Sequence, residues 1–356
     1  MKKKVGVTLT DLAKELDLSI YTVSRAINGL SGVSDKTRAH VLETADSLGY
    51  IPNANARDLR RGVHRSVTLL TAGMSNPYYL DLISGIESVF QARGENLLIA
   101  DMAVNGRYEE SSEQELLQQV MENRPGGIIS TLALSDVSRK RLHDWRVPVV
   151  FVDSVPGDAA EDFSYVTTDN VDASAKLGDH LAHHHFKRWL LVIYPSVWNS
   201  RYVREEGLKA AAQACGAQIE VLECGNDQGS AKMQIDRYLR GHKELPDVVI
   251  AGNNPILLGL MKAFSQRRLS IPQDMALVAF DDFTWSDLIS PGITLVAEDS
   301  YGIGSKAADH LLTLIEGEQE VYQSGEGSAE SSKPIHQTMR ASLRIRESCG
   351  CPAHTS

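Results

Sequence analysis

No run of about 18 consecutive apolar residues occurs in the chain, so no membrane-crossing helix is expected. The opening MKKKVGVTLT is basic, but no apolar stretch follows it. It does not read as a secretory signal, and a cytoplasmic place is expected. Cysteine is scarce: 4 in 356 residues, namely Cys215, Cys224, Cys349 and Cys351. The last two form C-x-C in a polar tail rather than the paired C-x-x-C of a zinc ribbon, so neither a metal site nor a disulfide framework is expected. The run His183-His184-His185 offers three imidazoles, but neighbouring residues on a helix point in different directions. It reads as a helix end leading into the next strand. Neither G-x-G-x-x-G nor G-x-x-x-x-G-K-S/T is present, which argues against nucleotide enzymes. No cofactor is expected.

What remains is an ordinary globular composition, 42% hydrophobic and 23% charged, long enough for two or three domains. The net charge of −10 is unevenly spread. Residues 1–65 hold 11 Lys and Arg against 7 Asp and Glu, and the remainder holds 25 against 39. A basic head on an acidic body suits a head that meets a polyanion and a body that does not.

The head reads as three short helices. Thr8 serves as an N-cap, with Leu9, Leu12, Ala13 and Leu16 repeating along one face. Ser19 caps a second helix with Val23, Ala26 and Ile27 inward, stopped by Asn28-Gly29. Ser34 caps a third, with Val41, Ala45 and Leu48 inward and Gly49 as its stop. Two helices across a tight turn, backed by a third, describe a helix-turn-helix. Its second helix, SIYTVSRAIN, would then be the reading helix. The amino-terminal end of such a helix points into the major groove, so Ser19, Ile20, Tyr21 and Arg25 would face DNA. Each also has an ordinary role: Ile20 as core, Arg25 as a solvated charge, Ser19 as a cap alone.

From Ser66 onward, short apolar runs alternate with amphipathic stretches. The runs are 66–72, 96–100, 126–131, 147–153, 189–194, 218–224, 247–252 and 275–282. This alternation predicts an α/β body with parallel sheets and helices on both faces. Ligand sites in such sheets lie beyond the carboxyl ends of the strands. That singles out Ser75, Tyr78, Tyr79, Asp153, Arg204, Asn253, Asp281 and Trp285. Asp and Asn can take adjacent hydroxyls, Arg an oxygen or an anion, and an aromatic ring an apolar sugar face.

Residues 8–62 resemble the head of the lactose-repressor (LacI/GalR) family. The resemblance is carried by Asp11-Leu12-Ala13, Ser19-x-x-Thr22-Val23-Ser24-Arg25, Asn28-Gly29, Val33-Ser34-x-x-Thr37-Arg38 and Gly49-Tyr50-Ile51-Pro52-Asn53. It implies base reading by Ile20, Tyr21 and Arg25. It implies phosphate contacts at Thr8, Ser19, Thr22, Ser24, Asn28, Ser34, Thr37 and Tyr50, which set register without reading sequence. It further implies a hinge helix that folds on DNA, with Asn53 capping it, Ala56 where two hinges approach, and Leu59 as a minor-groove wedge.

The same resemblance divides the chain into a helix-turn-helix (1–52), a hinge (53–65), a two-lobed periplasmic-binding-protein-like body (66–346) and a tail (347–356). Lobe one would hold about 66–167 and 298–324, lobe two about 168–297 and 325–346. Asp153, Arg204, Asn253 and Asp281 match effector-contacting positions of the family. Asn254-Pro255, Glu298 and Ser300 depart from its pattern, so the cleft is not expected to suit a galactoside.

The expected function is a transcriptional repressor of carbohydrate genes. It would be a homodimer on a pseudo-palindromic double-stranded operator, controlled by a sugar or sugar acid. The alternatives are a sugar-binding module without DNA function, an activator or corepressor-type regulator answering to a nucleoside or sugar phosphate, and an enzyme built on the α/β body. No activated nucleophile or metal constellation in the sequence supports the last.

Overall fold

The computed structural model describes residues 7–50, 66–71, 74, 76–104, 107–283, 286, 288–324 and 333–352. The expected hinge residues Asn53, Ala56 and Leu59, and the cleft candidates Ser75 and Trp285, lie outside the described residues. The chain forms two units, Met1–His64 and Arg65–Ser356.

The first unit contains α1 (Leu9–Glu15), α2 (Ile20–Ile27) and α3 (Asp35–Ser47), each started by the hydroxyl residue expected. Thr8 and Asp11 form a reciprocal capping box. Leu12, Ala13, Val23, Ala26, Val41 and Ala45 make the core. Leu48 was expected inward but is 40% exposed. The chain turns back at Gly49 (φ 66°), and the Tyr50 amide donates to the Ala45 carbonyl at 2.8 Å. Tyr50 therefore packs under the core where Leu48 was expected.

The second unit contains two six-stranded sheets. Its strands are β1 (Ser66–Thr71), β2 (Asn96–Asp101), the hairpin pair β3 (Ala103–Val104) and β4 (Arg107–Tyr108), β5 (Gly127–Ser130), β6 (Val149–Val152), β7 (Ser164–Thr168), β8 (Arg188–Ile193), β9 (Gln218–Glu223), β10 (Val248–Ala251), β11 (Ala276–Phe280), β12 (Thr294–Ala297), β13 (His336–Met339) and β14 (Ser342–Arg344). Its helices are α4 (Pro77–Arg93), α5 (Glu110–Glu122), α6 (Asp136–Asp144), α7 (Asn170–His183), α8 (Ser200–Cys215), α9 (Gln228–Gly241), α10 (Asn254–Arg267) and α11 (Ser300–Ser324).

The sheet orders are β13-β7-β6-β5-β1-β2 and β14-β12-β11-β10-β8-β9, the same winding twice. All pairs within these sheets are parallel except β12 with β14. Alternation along each strand feeds a core on each face. In lobe one, Val67 and Leu69 join Leu82 and Leu311 of α4 and α11, while Leu70 joins Leu117 and Leu142 of α5 and α6.

All eight apolar runs are strands, but the edge-ward strands β7, β12, β13 and β14 escaped the pattern, being short and mostly half-polar. The lobe boundary at 325–346 is also corrected. Residues 336–339 pair with β7 in lobe one, whereas 342–344 pair with β12 in lobe two. The chain therefore crosses between lobes near Asp169, Glu298 and Arg340. Nor is 347–352 a free tail. Ser348 and Cys349 are buried, and the Ser348 hydroxyl donates to the Leu277 carbonyl and accepts from the Thr294 amide.

Helices α4 and α11 touch backbone to backbone through two glycines. A Cβ on Gly304 would lie 2.1 Å from the Leu82 carbonyl oxygen, and one on Gly85 2.1 Å from that of Tyr301. Gly304→Ala is expected to cost about 1–3 kcal/mol by forcing the helices apart. Gly241→Ala, where a Cβ meets nothing, should be neutral or slightly stabilising. Urea midpoints of the two variants test the contrast.

Candidate DNA interface and ligand cleft

Helix α2 starts at Ser19, whose hydroxyl accepts from the Thr22 amide at 3.0 Å and lies 2.8 Å from the Thr22 hydroxyl. The same arrangement recurs at Ser34 and Thr37. Thr8, Ser19 and Ser34 thus sit at the amino ends of the three helices, where backbone donors and the helix dipole favour anions. Asn28 donates to the Ser24 carbonyl at 2.7 Å, one turn back on the same face.

Ile20 is 48% and Tyr21 69% exposed, so neither belongs to the core. Arg25 is held in place: Nε donates to the Ser31 carbonyl at 2.7 Å and Nη1 to the Tyr21 hydroxyl at 2.9 Å. Its guanidinium also lies 5.3 Å from the Tyr21 ring centroid. Ile20, Tyr21 and Arg25 therefore share one outward face, with Tyr21 and Arg25 paired. Arg38, singled out in the sequence only as part of the family pattern, fixes the end of α2 by donating to the Ala26 and Leu30 carbonyls.

In the second unit, a narrow cleft with about 40 Å³ of room for water-sized groups is lined by residues that follow strand ends of both lobes. Tyr78, Tyr79, Asp153, Arg204, Asn253 and Asp281 all reach it, as expected. Asp153 and Asp281 end equivalent strands, β6 and β11, and both adopt left-handed backbone (φ 59° and 67°). Asp tolerates that conformation better than most residues, and such strain concentrates at functional sites.

Arg204 is 5% exposed and organises the cleft. Nε donates to Asn170 Oδ1 at 2.8 Å, and Nη1 to the Gly252 carbonyl at 2.9 Å and Asp281 Oδ1 at 3.2 Å. Nη2 pairs with Glu298. The guanidinium lies 4.5 Å from the Phe280 ring centroid. Asn76 then links the lobes, donating to Asp281 Oδ2 at 3.4 Å. Asn253 lines the cleft but also caps α10, accepting from the Ile256 amide.

Three carboxyls share the cleft with one guanidinium: Asp281 and Glu298 pair with Arg204, and half-buried Asp153 lies nearby. Burial pushes Glu298 up to about 8, with Arg204 pulling down and Asp281 and Asp153 pushing up. Burial likewise pushes Asp153 up to about 6. Among the described residues Trp198 Nε1 is buried without a hydrogen-bond partner, and Tyr78 Oη and the Asp153 carboxyl, which face each other, have no well-formed bond to any other group. Such groups are costly unless something binds them.

Sequence reasoning missed Asn76, Glu298, Tyr194, Trp198 and Asn226 as lining residues. The strand-end rule had the power to find Tyr194 and Trp198, which follow β8, and Asn226, which follows β9. Glu298 was visible only as a departure from a family pattern.

A helix-turn-helix beside a two-lobed α/β ligand domain defines a DNA-binding regulator with a small-molecule cleft. Residues 8–53 match the family "Bacterial regulatory proteins, lacI family", and residues 178–349 match "Periplasmic binding protein-like domain". The chain thus carries a lacI-family helix-turn-helix domain and a periplasmic-binding-protein-like domain. It is 27% identical to catabolite control protein A of Priestia megaterium, over 87% of this chain and 92% of that protein. It is 27% identical to the ribose operon repressor of Escherichia coli (strain K12), over 86% and 93%. The crystal structure of the Lac repressor dimer bound to operator and the anti-inducer ONPF shares its fold, with a TM-score of 0.76 at 23% identity, over 97% and 99%.

Two outcomes are expected. A folded-state value of about 8 for Glu298, above its ordinary 4.5, means the native state holds the extra proton between these values. Stability therefore falls as pH rises through that window. Glu298→Gln should flatten the ligand-free melting temperature between pH 5 and 8. An unchanged slope would place the proton elsewhere. Exchanging Ile20 and Tyr21 should change the selected base consensus while keeping the salt slope. An identical consensus would remove them as readers.

Proposed function

We propose that the chain is an operator-binding repressor of carbohydrate genes, acting as a cytoplasmic homodimer, whose cleft takes a neutral sugar or other polyol. Ile20, Tyr21 and Arg25 read bases, and Thr8, Ser19, Thr22, Ser24, Asn28, Ser34, Thr37 and Tyr50 meet phosphates. Asn53, Ala56 and Leu59 serve the hinge, a reading that rests on family resemblance alone.

The observation that carries the ligand class is the charge of the cleft. With Asp153, Asp281 and Glu298 around Arg204, a carboxylate or phosphate ligand would add a further anion to a buried site already rich in acid. A polyol instead offers donors to the carboxyl oxygens and acceptors to Tyr78 and Trp198. The expectation of a sugar or sugar acid thus narrows to the neutral sugar. Tyr78, Tyr79 and Trp198 supply apolar faces for it. Asp281 and Glu298 are committed to Arg204 rather than poised against a nucleophile, which favours a regulator over an enzyme.

The dimer reading is supported by the outer strand of lobe one. Leu98 and Ile99 on β2 are 47% and 46% exposed along a sheet edge that, among the described residues, no further strand covers. Ligand would alter lobe closure, and closure the packing of paired hinges. Ligand and operator affinities are then coupled reciprocally.

A thermal-shift screen of the full chain over neutral sugars, sugar acids and sugar phosphates tests the ligand class. A neutral sugar should raise the melting temperature and change operator affinity. Arg204→Leu should lose that response, while the head unit keeps its own fold and its nonspecific DNA affinity. Selective stabilisation by a sugar acid or phosphate would overturn the charge argument.

A further inference from the structure

Four chemically soft groups outside the cleft converge at the end of α7. His180 lies in its last turn, and His184 is its C-cap, one helical turn on. Residues four apart share a helix face, so both imidazoles point the same way. The C-terminal segment brings Cys349 and Cys351 against them. His180 Nε2 is 3.3 Å from Cys349 Sγ, and His184 Nε2 is 3.3 Å from Cys351 Sγ. All four ligand atoms lie within 4.8 Å of one another. Both cysteines are free thiols.

We propose that His180, His184, Cys349 and Cys351 form a Cys2His2 site for one zinc ion, which staples the C-terminal segment to lobe two. Two thiolates and two imidazoles in a tetrahedron are the donor set of structural zinc. With zinc–sulfur near 2.3 Å and zinc–nitrogen near 2.0 Å, the tetrahedron's edges are about 3.4–3.8 Å. Two edges already lie near this range, and the widest pair needs to close by about 1 Å to reach it. Two thiolates neutralise the ion, so burying Cys349 at 1% exposure leaves no net charge inside the lobe.

The surroundings are built for the role. The Thr294 hydroxyl lies 3.1 Å from Cys349 Sγ and can donate to a thiolate there. The His184 ring stacks on Phe186 at 5.1 Å, which fixes its plane. Ser348 and Glu347 anchor the same segment, to Leu277, Thr294 and Gly292. Only His184 of the contiguous run takes part. The contiguous run points in three directions, whereas His180 and the C-x-C pair converge with His184 alone.

The test uses the untagged full chain, purified in reductant without chelator. Metal analysis should give about one zinc per chain, and cobalt(II) should give the intense visible bands of a tetrahedral ion with thiolate charge transfer. Cys351→Ser, at a half-buried position, should weaken zinc binding by about 100-fold or more and abolish the charge-transfer band. Cys215→Ser and the double variant His183→Ala/His185→Ala should bind as the parent does. Three results would overturn the proposal: no bound zinc with a pale octahedral cobalt spectrum, unchanged binding in Cys351→Ser, or loss of binding in the His183/His185 double variant alone.

Discussion

The second unit is organised around a single buried guanidinium. Arg204 extends from α8 in lobe two and meets Asn170 just after the first crossover and Glu298 at the second. It also meets the Gly252 carbonyl after β10 and Asp281 after β11. A charge this deeply buried is tolerated only when fully paired, and removing one partner of such a pair typically costs about 3–5 kcal/mol. One side chain thus fixes two crossovers and two strand ends at once. Whatever moves the lobes must move against that network or through it.

The duplicated winding explains why the carboxylates meet there. Two sheets of the same strand order present their carboxyl ends to each other, so equivalent strands contribute equivalent residues. Asp153 follows β6 and Asp281 follows β11, each with left-handed backbone. Only lobe two supplies the arginine. The cleft is therefore symmetric in backbone and asymmetric in charge, and a ligand entering it meets acid from both sides and base from one.

The body's apolar strands were legible because parallel strands buried on both faces read as continuous runs. The strands missed were those next to the crossovers. β7 reads SYVTT and β14 only SLR, too short or too polar to stand out. Their identity comes from distant pairing, Tyr165 of β7 with His336 of β13 and Arg344 of β14 with Leu295 of β12, which no local pattern records. The head was legible in finer detail, because caps at Thr8, Ser19 and Ser34 are local hydrogen bonds written in neighbouring residues. Leu48 failed for the same reason β13 did: a return of the chain, here at Gly49 and Tyr50, decides which side chain closes the core. The cleft falls between these cases. Strand-end logic found Asp153, Arg204 and Asp281, but Glu298 matters through its charge beside theirs, a property of the assembled set.

That shared charge links ligand chemistry to lobe closure. With three carboxyls and one guanidinium, the ligand-free cleft keeps a proton that bulk water at neutral pH would otherwise remove, and Glu298 holds it with a value near 8. A ligand that donates to these oxygens replaces solvent as their partner and eases ionisation. A ligand that only accepts competes with them for Arg204. Closure buries whichever set of partners is present. Asn76 of lobe one bonds to Asp281 and approaches Asn254 of lobe two, so the lobes already touch through the groups that the ligand would engage. Binding and closure therefore draw on the same few polar atoms. This is the physical requirement for a small molecule to shift the balance between two arrangements of the body.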